Sequence, residues 1–183
     1  FEWNTTTYDD GFYTITVYFY YTSGTTSPSD SITLYIYKTI ELFGEVWSVE
    51  NVTMINRPNN NLGGNIPSEI GKLSNLTYLD IRGNQLIGEI PSEIWNLTNL
   101  TYLSLSDNQL IGEIPPEIGN LTNLTYLSLS NNQLTGEIPE SICDLTLVFN
   151  DHHPSDVSNN QLCPPYPSCI EDTVGEQDTS GCN

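Results

Sequence analysis

Histidine, cysteine and carboxylate side chains supply most catalytic and metal-binding groups, and the histidines of this sequence offer little. His152 and His153 are adjacent and follow Asp151. Neighbouring side chains of an extended segment point to opposite faces, so two adjacent imidazoles are poorly placed to share one ligand. We therefore interpret this segment as a solvated loop, with a metal site as the less favoured alternative.

Carboxylates recur at two positions with a fixed spacing. Such rows could hold Ca²⁺ weakly, but the Asp-rich calcium-binding nonapeptide pattern is absent, so a solvated acidic face is the favoured interpretation. We expect no cofactor apart from weakly bound Ca²⁺. No nucleophile, base and orienting group occur together, so the sequence predicts a protein that is not an enzyme. The two rows are Glu89, Glu113 and Glu137, and Glu69, Glu93 and Glu117.

All four cysteines, Cys143, Cys163, Cys169 and Cys182, lie in the last quarter of the chain. This clustering is typical of a disulfide-stabilised end in an oxidising compartment. A zinc site is the alternative, but no Cys-x-x-Cys pair is present. We expect two disulfides and a location outside the cell or at its surface.

The composition favours extended structure and restricts the partners. The 183 residues suffice for one or two small domains and include no Ala, the best helix former. Four Lys and Arg stand against 23 Asp and Glu, a formal net charge of -19. This charge excludes nucleic acid and anionic membranes as partners. No apolar run approaches the roughly 20 residues that a membrane-spanning helix needs.

A unit of 24 residues repeats through the middle of the chain. The phrase Leu-Thr-Tyr-Leu ends at Leu79, Leu103 and Leu127, and the residues that follow match at most positions. A weaker copy precedes these three and a degenerate copy follows them. The matching positions include the asparagines Asn84, Asn108 and Asn132, and the glycines Gly88, Gly112 and Gly136.

The shared pattern, L-x-x-L-x-L-x-x-N-x-L-x-G-x-I-P, resembles the leucine-rich repeat in its plant-type form, over about residues 48–170. The resemblance implies a β-rich solenoid, a short right-handed stack of coils with capped ends. It also implies a strand surface that commonly binds partners. The residues support a stack independently, because each coil can bury its Leu and Ile only against neighbouring coils.

Each unit reads as a strand, a turn and a short helical segment. Leu79 and Ile81 alternate with other residues, as in a strand with one buried face. Asn84 follows, and asparagine tolerates turn conformations while its amide bonds to backbone groups. Pro91 then fixes the backbone angle φ where a short helical turn is expected to begin.

Open ends would expose apolar coil faces, so the solenoid needs a cap at each end. Val46, Trp47 and Val49 are candidates to cover the first coil. Arg57 stands where later copies have Ile or Leu, which marks the first copy as a capping repeat. We divide this part of the chain into an N-terminal cap and linker at residues 41–56, leucine-rich repeats at 57–147, and a degenerate last repeat with a disulfide-stapled C-terminal cap at 148–183.

The cysteine pairing follows from the stacking of the last coils. An insertion near Asn150 places Cys169 one coil beyond Cys143. Of the three possible pairings of four cysteines, this favours Cys143–Cys169 with Cys163–Cys182. A Cys143–Cys163 bridge would contradict it.

Residues 1–40 form a different, β-rich segment. Residues 13–19 and 32–36 alternate apolar and other residues on either side of a Ser, Thr and Pro-containing turn, which predicts a β-hairpin. Together with residues 1–4 the hairpin resembles the last three strands of a bacterial immunoglobulin-like domain. Such a sandwich needs about seven strands. We prefer a truncated domain as the explanation, with completion of the sheet by another chain as the alternative.

The strand surface of the repeats is the best candidate site. Its outward side chains form columns, and tyrosine offers a rigid contact area with a polar tip that suits protein or glycan binding. The alternative is that uniform columns reflect only repeat duplication and cross-strand stacking. The predicted binding residues are Tyr78, Tyr102, Tyr126, Asp80, Arg82, Ser104 and Ser128, with Met54 and Asn56 extending two columns.

Sequons of the form Asn-x-Ser/Thr are weak evidence for glycosylation here, because most belong to the repeated phrase itself. They are compatible with a surface protein. They occur at Asn4, Asn51, Asn75, Asn96, Asn99, Asn120 and Asn123.

Two functions fit these features. The first is a non-catalytic extracellular interaction or adhesion module that binds a protein or a glycan through its repeat surface. The alternative is a structural subunit of an extracellular filament or surface layer, assembled from copies of itself by β-strand complementation.

Overall fold

The structure, a computed structural model, describes residues 14–20, 33–147 and 155–182, with the backbone alone before residue 39. The histidine pair at residues 152 and 153, the sequon at Asn4 and the proposed strand at residues 1–4 lie outside the described residues. No helix among the described residues is long and apolar enough to cross a membrane.

The N-terminal segment forms an antiparallel sheet of three strands in the order β1-β2-β3. These strands are β1 (Thr14–Tyr20), β2 (Thr33–Leu42) and β3 (Glu45–Ser48). The pairing of β1 with β2 is the hairpin that the sequence predicts. The third strand follows the hairpin, after a tight turn in which Phe43 and Gly44 have φ of 55° and 77°. Positive φ at both central residues is typical of hairpin turns of type I′.

The described residues that follow form the predicted β-rich solenoid, and each complete coil contributes strands to two parallel sheets. The first sheet contains β4 (Met54–Asn56), β6 (Tyr78–Asp80), β8 (Tyr102–Ser104) and β10 (Tyr126–Ser128). We call its outer surface the ladder face. The second sheet contains β5 (Gly63–Asn65), β7 (Gln85–Glu89), β9 (Gln109–Glu113), β11 (Gln133–Glu137) and β12 (Gln161–Cys163).

A short 3₁₀ helix closes each coil on the side away from the ladder face. A proline with extended backbone stands immediately before each helix and starts it at a fixed φ, as the sequence predicts. The four helices are Ser68–Lys72, Ser92–Asn96, Pro116–Asn120 and Glu140–Asp144, and a fifth, Thr179–Gly181, lies near the C-terminus.

A ladder of asparagine amides joins the coils inside the stack. The Asn108 amide nitrogen donates to the carbonyls of Leu105 and Ser106 in its own coil and of Ile81 in the preceding coil, at 3.0–3.2 Å. Its amide oxygen accepts the Leu86 backbone N–H at 3.1 Å. Asn84, Asn132 and Asn160 make the same set of bonds in their coils.

The N-terminal sheet covers the first coil. Ile40 and Leu42, at the end of β2, are 3% and 1% exposed and belong to the core of the solenoid. Trp47 pairs with Ile40 across the sheet and packs against that core. Val46, expected in the cap, is instead 63% exposed, because it pairs with Glu41 on the opposite face of the sheet. The sheet also crosses the boundary that we placed at residue 40, because β2 extends from Thr33 to Leu42.

Arg57 ties this cap to the first coil. Its guanidinium donates to the Glu45 carboxylate, with Nη2 and Oε2 2.6 Å apart, and its Cζ lies 5.2 Å from the centre of the Trp47 ring. A leucine at this position could make neither contact.

The C-terminal cap continues the amide ladder with a glutamine. Gln177 donates to the carbonyls of Val174 and Val157 at 3.0 Å, and its side-chain oxygen accepts the Leu162 N–H at 3.3 Å. These bonds repeat the asparagine pattern one coil further on. Disulfides Cys143–Cys169 and Cys163–Cys182, the pairing that stacking favours, close the cap.

We predict that Gln177→Ala lowers the free energy of unfolding by about 2 kcal/mol, because buried carbonyls and one buried N–H lose their partners. Urea unfolding measures the loss, and hydrogen exchange at the Leu162 amide shows where it occurs. Gln161→Ala, at an exposed side chain, is the matched control. Equal stability of the two variants would contradict this role of Gln177.

Candidate functional site

Three tyrosine rings stack on the ladder face. In-register parallel pairing places Tyr78, Tyr102 and Tyr126 directly beside one another. The ring centres are 4.2 and 4.3 Å apart, and the ring planes differ by 12° and 6°. Met54 pairs with Tyr78 and extends the column, with 54% of its surface exposed. We call Met54 and the three tyrosines the aromatic column.

A row of threonine hydroxyls runs beside the aromatic column. Thr77, Thr101 and Thr125 are exposed, and each Oγ1 donates to the backbone carbonyl of the equivalent residue one coil earlier, at 3.0 Å. Since the hydroxyl hydrogens are occupied, the row presents acceptor lone pairs and methyl groups to a ligand.

The predicted column of Asp80, Ser104 and Ser128 is not accessible. Asp80, Ser104 and Ser128 are 2%, 0% and 4% exposed, so a ligand on the ladder face could not reach them as predicted. We attribute the burial to the shortness of these side chains, because the stacked coils and the larger side chains of the aromatic column shield them from solvent. Arg82 keeps 46% of its side chain exposed and lies 3.8 Å from the Asp80 carboxylate. The accessible part of the candidate site is therefore the aromatic column, the threonine row and Arg82.

The environment of the central tyrosine disfavours its ionisation. Burial raises the pKa of the Tyr102 hydroxyl well above its ordinary value, and repulsion from ionised Tyr126, Tyr78 and Asp80 adds to the effect. The Tyr102 hydroxyl group therefore stays neutral at a pH where an ordinary tyrosine is ionised, and it remains a hydrogen-bond donor and acceptor there.

The acidic rows lie elsewhere on the surface. Glu89, Glu113 and Glu137 end strands of the second sheet, and all three are exposed. The described part of the chain contains no group of three or more His, Cys, Asp or Glu placed to hold a metal ion.

The five sequons of the repeated phrase fall into two structural classes. The side-chain amides of Asn75, Asn99 and Asn123 donate to backbone carbonyls near the preceding turn at 2.8–2.9 Å. Asn96 and Asn120, at the ends of 3₁₀ helices, are exposed.

Two features escaped the sequence analysis. Gln177 replaces an asparagine of the ladder, and the spacing of Val174 to Gln177, which repeats that of Val157 to Asn160, is the signal that could have revealed it. The second feature is a cleft beside Trp95. Its only sign in the sequence is the tryptophan itself, at a position where the neighbouring copies have glycine.

Family models identify the repeats. A model described as leucine rich repeat matches residues 50–110, and another, leucine rich repeats in two copies, matches residues 98–145. The chain contains leucine-rich repeats. Together the two matches cover slightly more than half of the 183 residues. No curated protein sequence matches the chain significantly.

Solved structures of plant leucine-rich-repeat proteins are similar to this chain. The Arabidopsis receptor kinase HAESA, in complex with the peptide hormone IDA and the co-receptor SERK1, is 38% identical over 68% of this chain, with a TM-score of 0.61. The BIR2 ectodomain from Arabidopsis thaliana is 31% identical over 67% of this chain and 66% of its own, with a TM-score of 0.60.

A plant ice-binding protein is also similar, at 38% identity over 61% of this chain and a TM-score of 0.51. This chain spans 35% of that protein, 21% of HAESA and as little as 13% of another receptor ectodomain, GASSHO1/SCHENGEN3 from Arabidopsis thaliana. The similarity therefore concerns the repeat stack, a small part of most of these neighbours.

We predict that the raised pKa of Tyr102 makes stability fall as pH rises above about 10, the ordinary tyrosine pKa. Above that pH the unfolded chain releases the Tyr102 proton while the folded chain retains it, so unfolding becomes more favourable. Below it the contribution is fully present. Unfolding measured across this range should show a shallower decline for Tyr102→Phe. A decline of equal slope in both proteins would contradict the prediction.

Proposed function

We propose that this chain is a non-catalytic extracellular interaction module that binds a protein or glycan partner across the aromatic column. The observation that carries the proposal is the stack of three half-buried tyrosines, continued by exposed Met54. Aromatic side chains with partly exposed surfaces are enriched where proteins bind partners, because they bury large areas at a low entropic cost.

The shape of the site suits an extended partner. The rings stack face to face, so their edges and hydroxyl groups are what a ligand meets. The threonine row beside them adds acceptors at the coil spacing, and Arg82 adds one positive charge at the side. A chain lying across the coils could contact all three features at once. The complex of HAESA with a peptide hormone supports a polypeptide as this partner.

Oxidised cysteines and the similarity to receptor ectodomains support an extracellular location.

We predict that Tyr102→Ala abolishes most binding at this site. Linear peptides selected from a random display library against the wild-type chain, and members of a glycan array, serve as probes. Loss of a central tyrosine should weaken binding by about thirtyfold, the equivalent of about 2 kcal/mol. Binding is measured by biolayer interferometry.

Gln85→Ala, an exposed substitution on the second sheet, is the matched control and should leave binding unchanged. The proposal is contradicted if no selected ligand loses affinity on Tyr102→Ala, or if the library and the array yield no ligand. Size-exclusion chromatography of the same samples tests the alternative function, a structural subunit of an extracellular filament or surface layer, because a self-assembling subunit would elute as a large species.

A second candidate ligand is ice. The exposed threonine row is identical in three successive coils, and such regularity suits a periodic surface better than a unique sequence. The similarity to a plant ice-binding protein supports this candidate. It predicts that the chain slows ice recrystallisation in a splat assay and that Thr101→Tyr removes the effect. Crystal growth equal to that in a buffer control would eliminate ice as the ligand.

A further inference from the structure

A tryptophan separates two coils on the side away from the ladder face. Trp95 occupies the position that is Gly71 in the preceding coil and Gly119 in the following one. At Gly71 a Cβ would collide with Glu93 of the next helix, so glycine allows neighbouring 3₁₀ helices to approach closely. The Trp95 helix and the helix after it pack less closely than the pairs on either side.

A cleft of about 590 Å³ lies at this place, within the range of volumes that hold small ligands. Prolines and the tryptophan give it apolar walls, and two carboxylates and the hydroxyls of Ser92 and Thr135 give it polar groups. None of its lining residues is cationic. The main lining residues are Glu89, Glu113, Ser92, Pro91, Pro115 and Trp95.

Glycines of the next coil let the stems of the two glutamate side chains approach the backbone closely. Glu89 lies against Gly112, where a Cβ would come 3.0 Å from Glu89 Cγ, and Glu113 lies in the same way against Gly136. These glycines also have positive φ, so the side chains rest on a surface that another residue could not easily provide.

Besides the lining of the cleft, the indole N–H group of Trp95 also points to a ligand. The residue is 1% exposed, and its Nε1–H has no hydrogen-bond acceptor among the described residues. A buried donor without an acceptor is rare and costly, which is why such groups often mark a missing partner. The cleft that Trp95 lines thus has two carboxylates, no cationic lining residue and apolar walls, and the buried indole N–H of Trp95 beside it has no acceptor among the described residues.

We propose that this cleft binds the basic side chain of a partner protein, a lysine or an arginine. The ammonium or guanidinium group lies between the Glu89 and Glu113 carboxylates, and the alkyl stem packs against Pro91 and Pro115. A backbone carbonyl of the partner accepts the Trp95 Nε1–H after a small movement of the ring. The formal net charge of -19 draws a cationic partner to this surface.

The test uses blocked amino acids as probes, followed through the indole Nε1–H signal of Trp95 in ¹H–¹⁵N spectra of the whole chain. N-acetyl-arginine and N-acetyl-lysine methylamides should shift this signal in a saturable way. The neutral citrulline analogue should not. Free alkylamines, which have the charge but no carbonyl, should bind without the downfield shift that a new hydrogen bond causes.

The double variant Glu89→Gln with Glu113→Gln should weaken binding of the arginine probe by about tenfold. Glu137→Gln is the matched control, since it occupies the same position one coil later but does not line the cleft. Thermal unfolding checks that all variants fold. The Trp95→Phe variant keeps most of the aromatic bulk between the two coils and removes the indole N–H donor. Because this variant lacks the Trp95 signal, binding is followed through the backbone amide signal of Gly112. We expect the arginine probe to bind it several-fold more weakly than the wild-type chain.

The proposal is overturned if the Trp95 signal does not respond to millimolar probe, or if Glu137→Gln weakens binding as much as the double variant. It is also overturned if the citrulline analogue binds as well as the arginine probe. None of these results bears on the aromatic column, whose test depends on Tyr102.

Discussion

The asparagine amides inside the stack are the interaction on which the rest of the structure depends. Every turn from the ladder face to the second sheet leaves backbone carbonyls and N–H groups pointing inward, where no water can satisfy them. One amide per coil satisfies groups in its own coil and in the preceding one. The ladder therefore fixes both the shape of each coil and its register with the next, and the leucines and isoleucines fill the space that remains.

The outer surface inherits this regularity. Because the amides fix the register, equivalent side chains of successive coils lie about as far apart as two neighbouring strands of a sheet. The tyrosine stack and the threonine hydroxyl bonds are consequences of that spacing. Departures from this regularity have local consequences of their own. Arg57 belongs to the cap, Arg82 adds charge beside the aromatic column, and Trp95 opens the cleft.

Much of the fold could be predicted because its signals are local and repeated. The spacing of Leu79, Asn84 and Pro91 defines a strand, a turn and a helix start in every copy. The cysteine pairing followed from counting coils. Exposure was harder: Asp80, Ser104 and Ser128 do lie in columns, but side-chain height decides whether a column reaches solvent. Val46 shows the same difficulty, since its direction depends on the pairing of β3, which a short sequence segment does not define.

The two disulfides of the C-terminal cap overlap along the chain. The first spans Cys143 to Cys169 and the second Cys163 to Cys182, so each begins or ends inside the other. Every peptide bond between Cys143 and Cys182 is therefore bypassed by at least one covalent cross-link. A protease that cuts this region once releases no fragment, and the pieces stay attached until a reductant acts.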